Sequence, residues 1–518
     1  MGWNRFFAEG TYRRGLAHGC MQQPDRSDRW VLFATILGSS LVFIDGFIVA
    51  LALPSIQREL HATASDAQWV VEAYTLVLGS LMLFGGALGD RAGRRRVFTI
   101  GVGIFTFGSL ACAFATSASM LVTARVAQGF GGMLLAPASL ALIGAHFSGV
   151  RRDRAFASWA SYGALTTAIG PAVGGLIVDH LGWRAVFFLN IPLAALVIWA
   201  TQRHISESRD ETIDGPLDIF GAMLATLGFG AITYALIASS SYGWESLRIG
   251  GTFIAGILAL IAFVAVERRA RAPIMPLALF ASRTFSGVNA VTLLLYGALG
   301  ATFYYLPFIM IQGHGYSATE TALAQLPLIL GLILLARLGT LLMRIIGART
   351  ILTFGPAIVG IGFALLGFLD NQTSYWAAFF PGLLVVGIGL GLTVAPLTAT
   401  VIDSADPRHV GAASGINNAI SRIAGLLAVA ALGLVLWASF NAQLDRRLDA
   451  MHASSAVRVK VDAQRARIGA AQVADARAQA AMLASFRGGF STVAYACAFL
   501  SLFAGIISAA MIRPYGTS

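Results

Sequence analysis

The sequence predicts an all-α integral membrane protein of about fourteen transmembrane helices. Its composition is the first reason: 57% of the residues are hydrophobic and 12% are charged, with a mean hydropathy of +0.74. Soluble domains carry about 25% charged residues. The second reason is run length. Apolar stretches reach roughly 20 residues, enough to cross a ~30 Å core, and lack the ten-residue alternation of barrel strands. They fall at 30–53, 68–88, 97–116, 119–146, 155–178, 185–202, 217–239, 250–267, 285–312, 320–344, 350–370, 377–402, 411–438 and 488–512.

Arginine placement orients these spans. The chain has a formal net charge of +11, and Lys460 is its single lysine. With a cytoplasmic N-terminus, the inner loops hold Arg91, Arg94, Arg95, Arg96, Arg151, Arg152, Arg154, Arg203, Arg209, Arg268, Arg269, Arg271, Arg283, Arg344, Arg349 and Arg408, whereas the short outer loops hold Arg58, Arg184 and Arg248. The positive-inside rule then places both termini in the cytoplasm. The first residues are polar, carry Arg5, Arg13 and Arg14, and have no apolar core of a removable signal, so either Met1 or Met21 could start the chain.

The charge is accounted for by topology, which leaves no case for nucleic acid as a partner. Cys20, Cys112 and Cys497 are far apart, the histidines are scattered, and no Walker or nucleophile motif is present. No enzyme activity, metal or cofactor is expected. Residues 440–487 differ from the other outer loops. They are rich in helix formers, with apolar residues at Leu444, Leu448, Met451, Val459, Val461 and Ile468, and predict two amphipathic helices over the outer mouth. A solvated spacer is the competing reading.

Between the second and third spans lies Gly86-Ala-Leu-Gly-Asp-Arg-Ala-Gly-Arg-Arg-Arg96. Glycine permits a sharp turn and close helix approach, and Asp90 can pair with nearby arginines or face a helix N-terminus. Gly86, Asp90, Arg91, Gly93 and Arg94 thus form a candidate conformational latch. A basic loop alone would explain the arginines but not the spacing.

Five charged residues fall within spans: Asp45, Glu72, Arg125, Arg337 and Arg422. Each costs roughly 2.5–3.5 kcal/mol to insert, which makes it a functional candidate. Asp45 lies about 22 Å of helix rise from the inner face, and Glu72 and Arg125 are at similar depth. Removal from water favours the neutral acid and a nearby cation favours the carboxylate. An Asp whose neighbours change between two conformations can therefore bind a proton on one side and release it on the other. Asp45, Glu72 and Arg125 are the proton-coupling candidates. A structural Asp45–Arg125 ion pair and a snorkelling Glu72 remain open.

Several stretches carry a resemblance. Arg125-Val-Ala-Gln-Gly-Phe-Gly-Gly132 opens the fourth span, and the fifth holds Gly163 and then Gly170-Pro171-Ala-Val-Gly174-Gly175. With the loop at 86–96 these resemble the major facilitator superfamily, the last its antiporter motif. Phe43-Ile-Asp45, Gln68-Trp-Val-Val-Glu-Ala-Tyr74, Gly182-Trp-Arg-Ala-Val-Phe-Phe-Leu-Asn-Ile-Pro192, Gly387-Ile-Gly-Leu-Gly-Leu-Thr-Val-Ala-Pro396 and Gly411-Ala-Ala-Ser-Gly-Ile-Asn-Asn418 resemble its fourteen-span drug:proton antiporters. The sequence departs from that pattern at Gly46 and at Met343, where a second latch would carry its acid.

The resemblance implies the major facilitator fold: two six-helix bundles plus two extra central helices. The divisions are a cytoplasmic tail 1–29, an N-terminal bundle 30–202, a linker with two additional spans 203–271, and a C-terminal bundle 272–518 that includes the outer loop 440–487. It also implies that Gly163, Gly170, Pro171, Gly174 and Gly175 form a hinge or seal. The implied activity is proton-driven export of hydrophobic or cationic compounds by alternating access, by a monomer that needs no cofactor. A substrate cavity needs aromatic walls and polar handles, for which Phe303, Tyr304, Tyr305, Phe308, Gln312, Gln325, Asn417, Asn418 and Arg422 are candidates. A dedicated exporter of one metabolite, lipid or self-made antibiotic is the main rival. A non-transporting sensor or assembly subunit is the other, and a periplasmic adaptor is undecided.

Overall fold

A computed structural model describes residues 26–210, 217–270, 273–368, 374–406 and 409–513. Most of the N-terminal tail, with Cys20 and both candidate starts, lies outside the described residues, as do Arg271 and Arg408. The described chain is helical throughout. Membrane-length helices are α1 (Arg26–Glu59), α2 (Ala64–Ala92), α3 (Arg94–Ala113), α4 (Ala118–His146), α5 (Gly149–Leu181), α6 (Trp183–His204), α7 (Ile219–Tyr242), α8 (Leu247–Glu267) and α9 (Arg283–Phe308). The short α10 (Ala318–Ala324) leads into α11 (Leu326–Ile346), followed by α12 (Ala348–Gly367). A single turn, α13 (Tyr375–Ala378), precedes α14 (Phe380–Asp403). The chain ends with α15 (Val410–Ala450), the small α16 (Ser455–Asp462) and α17 (Ala476–Met511).

Among the described residues, 13 of these segments are long and apolar enough to cross a membrane. In the arginine-rich α5 the apolar part is confined to Ile169–Leu181. This is a multi-pass membrane protein, and all of its predicted apolar runs lie on helices.

The region after residue 440 departs from expectation. The chain does not leave the helix there: α15 continues to Ala450 and α17 begins already at Ala476. Leu444 and Leu448 are fully buried on the extension of α15. Only α16 and a tight 3-10 turn at Arg465–Ala470 lie between. Two amphipathic helices are thus replaced by two extended spans, because helix formers propagate an existing helix more easily than they nucleate a new one.

Packing inside residues 26–204 is set by small residues on α4. A Cβ on Gly108 of α3 would come within 2.6 Å of the Gln128 backbone nitrogen, and one on Gly131 would be 2.5 Å from Phe105 Cα. Gly129 allows α2 equally close, 3.0 Å from Tyr74 O. Helices in lipid associate through such backbone approach, since no hydrophobic force separates them from the solvent. α4 is therefore pressed between α2 and α3, which fixes the height and rotation of Arg125. In the other half, a Cβ on Gly300 would be 2.7 Å from Gly425 Cα, and one on Gly331 would be 2.7 Å from the Gly387 carbonyl carbon. Helices α7 and α8 pack on one another, with Gly228 and Gly256 at the crossing, and α7 leans on α2 and α15.

Gly131→Val is expected to destabilise the protein by about 1–3 kcal/mol through overpacking at the α3–α4 crossing. A lower unfolding midpoint in detergent would register it, and a midpoint equal to wild type would show that α3 and α4 are not held as tightly as described.

Candidate functional site

Asp45 on α1 and Arg125 on α4 meet with Nη1 2.5 Å from Oδ2, and both side chains are 1% exposed or less. Gln128, one turn further along α4, closes the ring. Its Nε2 donates to Asp45 Oδ1 at 2.7 Å, and its Oε1 accepts from Arg125 Nη1 at 2.7 Å. Arg125 Nε donates to Val70 O on α2 at 2.9 Å, and the guanidinium lies 4.2 Å from the Tyr74 ring centroid. Both carboxylate oxygens and both types of guanidinium nitrogen are thus engaged, as a buried charge pair requires. Gln128 was not anticipated. It sits in the conspicuous Arg125–Gly132 stretch, but an uncharged amide gives no signal of its own.

Glu72 does not join this network. It is 1% exposed, and neither carboxylate oxygen has a hydrogen-bond partner among the described residues. Its electrostatic neighbours are Tyr304 and Tyr305 of α9, in the other half. Similar depth along the sequence did not imply a shared face. Arg337 is exposed on α11.

The loop at 86–96 is built as a tight corner. Gly93 adopts φ +104, a conformation that side chains rarely take, and separates α2 from α3. Asp90 Oδ1 accepts from Arg94 Nε at 2.9 Å and Nη2 at 2.8 Å, while Arg91 Nε has no hydrogen-bond partner among the described residues. A Cβ on Gly86 would be 3.5 Å from Pro137 on α4. The sequence did not reveal that the segment after α6 docks on this corner. Glu207 accepts the amides of Arg95 and Arg96 at 2.9 and 3.1 Å, capping α3 from outside its own helix. Arg94 N donates to Ser208 O at 2.8 Å, and Asp210 N to Asp90 O at 2.8 Å.

The glycines of α5 run along α1. Cβ atoms on Gly163, Gly170 and Gly174 would meet Phe43 at 3.6 Å, Ile44 at 3.8 Å and Ile48 at 2.5 Å. Gly175 faces the other half, where a Cβ would be 2.7 Å from Ala318 O of α10. Pro171 lies inside a continuous helix. One turn on, Asp179 accepts three hydrogen bonds from the start of α10: Ala318 N at 3.0 Å, Thr319 N at 2.8 Å and Thr319 Oγ1 at 2.5 Å. Gln312 Nε2 also donates to Gln57 Oε1 at 3.0 Å, and Gln57 Nε2 to Arg467 O at 3.2 Å. These contacts tie the halves together on the far face, opposite the start of α1. Asp179 was overlooked because a lone Asp near a span end resembles any interfacial residue.

The aromatic and polar residues expected to form one substrate cavity are dispersed. Phe303 packs against Phe47 at 5.5 Å between ring centroids. Tyr304, Tyr305, Phe308 and Gln312 line a far-face cavity. Gln325 and Asn418 bond to carbonyls of Thr321 and Ser414, one turn back in the chain. Asn417 Nδ2 donates to Asn289 Oδ1 at 3.1 Å and Thr292 Oγ1 at 2.7 Å. Arg422 lies beside α2, its Cβ 3.2 Å from where one on Gly79 would be, with no carboxylate partner among the described residues. Residue type marked these side chains, but only helix rotation decides which cavity each faces.

Comparison with known proteins follows the same lines. The Major Facilitator Superfamily model matches residues 35–215 and 218–429. The chain belongs to the Major Facilitator Superfamily. Among its relatives is the Multidrug resistance protein Stp of Mycobacterium tuberculosis, 34% identical over 430 residues, 82% of this chain and 79% of the relative. Another is the Tetracenomycin C resistance and export protein of Streptomyces glaucescens, 31% identical over 78% of this chain and 75% of the relative. The Puromycin resistance protein pur8 of Streptomyces alboniger is 33% identical over 80% and 83%. A solved bacterial homolog of the human lysosomal transporter Spinster, inward-facing and unoccupied, has a TM-score of 0.68 at 14% identity, covering 95% of this chain and 100% of that one. That likeness concerns the fold. As a facilitator the chain is a transporter rather than an enzyme.

Asp179→Ala would remove three hydrogen bonds to a carboxylate that is exposed to solvent, together worth about 1.5–3 kcal/mol after screening. The far-face closure is therefore expected to loosen by roughly ten- to hundred-fold in population, taking ~1.4 kcal/mol per tenfold. Spin-label distances across that face would report it, and an unchanged distance distribution would remove Asp179 from the closure.

Proposed function

We propose that the protein is a proton-coupled antiporter that exports hydrophobic, uncharged or cationic, drugs or toxic compounds by alternating access. The resistance and export relatives support the substrate class, and one structural observation carries the coupling: a carboxylate fully buried beside an arginine within a transporter bundle. The arginine distribution supports a bacterial inner membrane with both termini in the cytoplasm. The far face is then the outer face, and the described state is closed to the outside. Residues 30–202 and 272–518 act as the two bundles, with the extra helices of 203–271 between them.

Coupling rests on a contrast between two protonation states. Ionised Asp45 is held by Arg125 and Gln128, with α1 drawn against α4. Adding a proton to Asp45 removes the charge attraction and leaves Arg125 to find other partners, an imbalance worth several kcal/mol out of water. α1 is also the helix that lies along Gly163, Gly170 and Gly174. Gly46, next to Asp45, is exposed, and a side chain there would meet open space. A small movement of α1 would therefore bring Asp45 to water. A proton moving inward gains about 2.3 kcal/mol per 100 mV, which sustains a drug gradient of several tens-fold at ~1.4 kcal/mol per tenfold. No cofactor enters this cycle. Asp90 with Arg91 and Arg94, clamped by Glu207, serves as the cytoplasmic latch. Glu72 is a secondary proton site facing the bundle interface.

Asp45→Asn tests the reading, because it keeps the shape and one hydrogen-bonding oxygen but carries no titratable group. In inverted vesicles the variant is expected to insert normally and to lose both dye uptake and the accompanying proton release. Full exchange in Asp45→Asn would transfer the coupling role elsewhere. Uptake of one compound only from a broad panel would favour a dedicated exporter.

A further inference from the structure

The outer face holds a partly open cavity distinct from the Asp45 network. Its walls come from both bundles, from the outer end of α7, and from the turn at Arg465–Ala470 that closes it from above. The volume is about 100 Å³, of the order of cavities that accept a single ring. Tyr304, Tyr305 and Trp437 supply aromatic surface. Gln68, 7% exposed, lines the cavity, and its Nε2 has no hydrogen-bond partner among the described residues. A buried amide donor without a partner costs roughly 1–3 kcal/mol, so an acceptor is missing from this wall.

Charge narrows what can supply it. Arg467 is the one charged residue among those lining the cavity, which disfavours a cation. Glu72 lies one helical turn deeper on the same face of α2, and the aromatic and aliphatic walls would leave an anion's lost hydration uncompensated. Tyr305 is already committed, its hydroxyl donating to Val429 O at 2.8 Å. The remaining complement is an uncharged ring that carries a carbonyl or similar acceptor. Ser240 and Ser241, at the end of α7, form a polar rim.

We propose that this cavity is an outer binding site for an uncharged aromatic group bearing a hydrogen-bond acceptor, with Gln68 as its donor and the Arg465–Ala470 turn as its cover. Because its walls belong to both bundles, the site is dismantled whenever the outer face opens, and an occupant is released outward. This deepens the export reading and rests on it for direction, while the binding itself does not.

The test uses 4-azidobenzamide, an uncharged single-ring amide, photolysed with the full-length protein in lipid nanodiscs without any gradient. Labelled peptides are mapped by mass spectrometry. Labelling is expected on the stretches 236–241 and 430–437, reduced at least five-fold by Gln68→Leu and by Ser241→Trp, which fills the cavity from its exposed rim. Thermal midpoints establish that both variants are folded, and a misfolded Gln68→Leu leaves Ser241→Trp to decide. Absent labelling, or labelling equal in wild type and the folded variants, would mean a water-filled void and would overturn the proposal. Labelling that survives in Asp45→Asn would keep the site even if proton-driven export failed, and export without labelling would do the reverse.

Discussion

The arrangement depends on a charge pair buried where water cannot reach it. An isolated carboxylate or guanidinium at this depth would be too costly to keep ionised. Asp45 and Arg125 are tolerated because each is matched in charge and because Gln128 and Val70 O bond the second carboxylate oxygen and further guanidinium N–H groups. That arrangement sets the surrounding packing. Gly129 and Gly131 bring α4 against α2 and α3, which puts Arg125 within reach of the Val70 carbonyl and flat against Tyr74. Ser39 and Ser139 bond at 2.7 Å and hold α1 to α4 at a second level. With bulkier residues at the glycines the helices would separate, and the same polar groups would become a liability.

The pair is connected to the far-face closure by direct contact. Ile48 lies one turn beyond Asp45 on α1 and fills the notch left by Gly174 on α5. The adjacent Gly175 abuts the first residues of α10, which Asp179 caps. From Arg125 to Thr319, therefore, every step is a packed contact or a hydrogen bond, and it crosses from one half to the other. Such continuity does not itself measure coupling. It does mean that displacing α1 at Asp45 cannot leave the α5–α10 junction undisturbed, since close-packed interfaces shift rather than stretch.

Much of this was legible in the sequence, for reasons that also explain what was not. Helix positions were, because a lipid core of fixed thickness demands apolar runs of fixed length. Asp45 and Arg125 stood out because charge within such a run is costly. Gln128, Asp179 and Glu207 did not, because an amide is tolerated in many places and an acid near a helix end is commonplace. Their partners are 83, 139 and 112 residues away, a separation that only topology closes. The cavity candidates are dispersed for a different reason. Aromatic and amide residues mark a surface, but a rotation of one residue on a helix turns a side chain by about 100°, and span boundaries carry no rotational information.

A division among the charged membrane residues bears on how the molecule moves. Asp45 and Arg125 lie within one bundle and satisfy each other. Glu72 and Arg422 lie where the halves meet, Glu72 beside Tyr304 and Tyr305, Arg422 beside Gly79 and Tyr74, and neither has an opposite charge to bind. A fully satisfied network resists disruption, so the bundle interior travels as a unit. Incompletely satisfied groups at an interface make the opposite contribution, because the present closure gains nothing from them that another arrangement, a solvated cavity or a bound compound would not exceed. The closed far face is therefore held by a few terminal contacts, such as Asp179 with α10, rather than by charge along its depth. A transporter built this way keeps its bundles rigid while the energy difference between its two openings stays small enough for a bound ligand to decide.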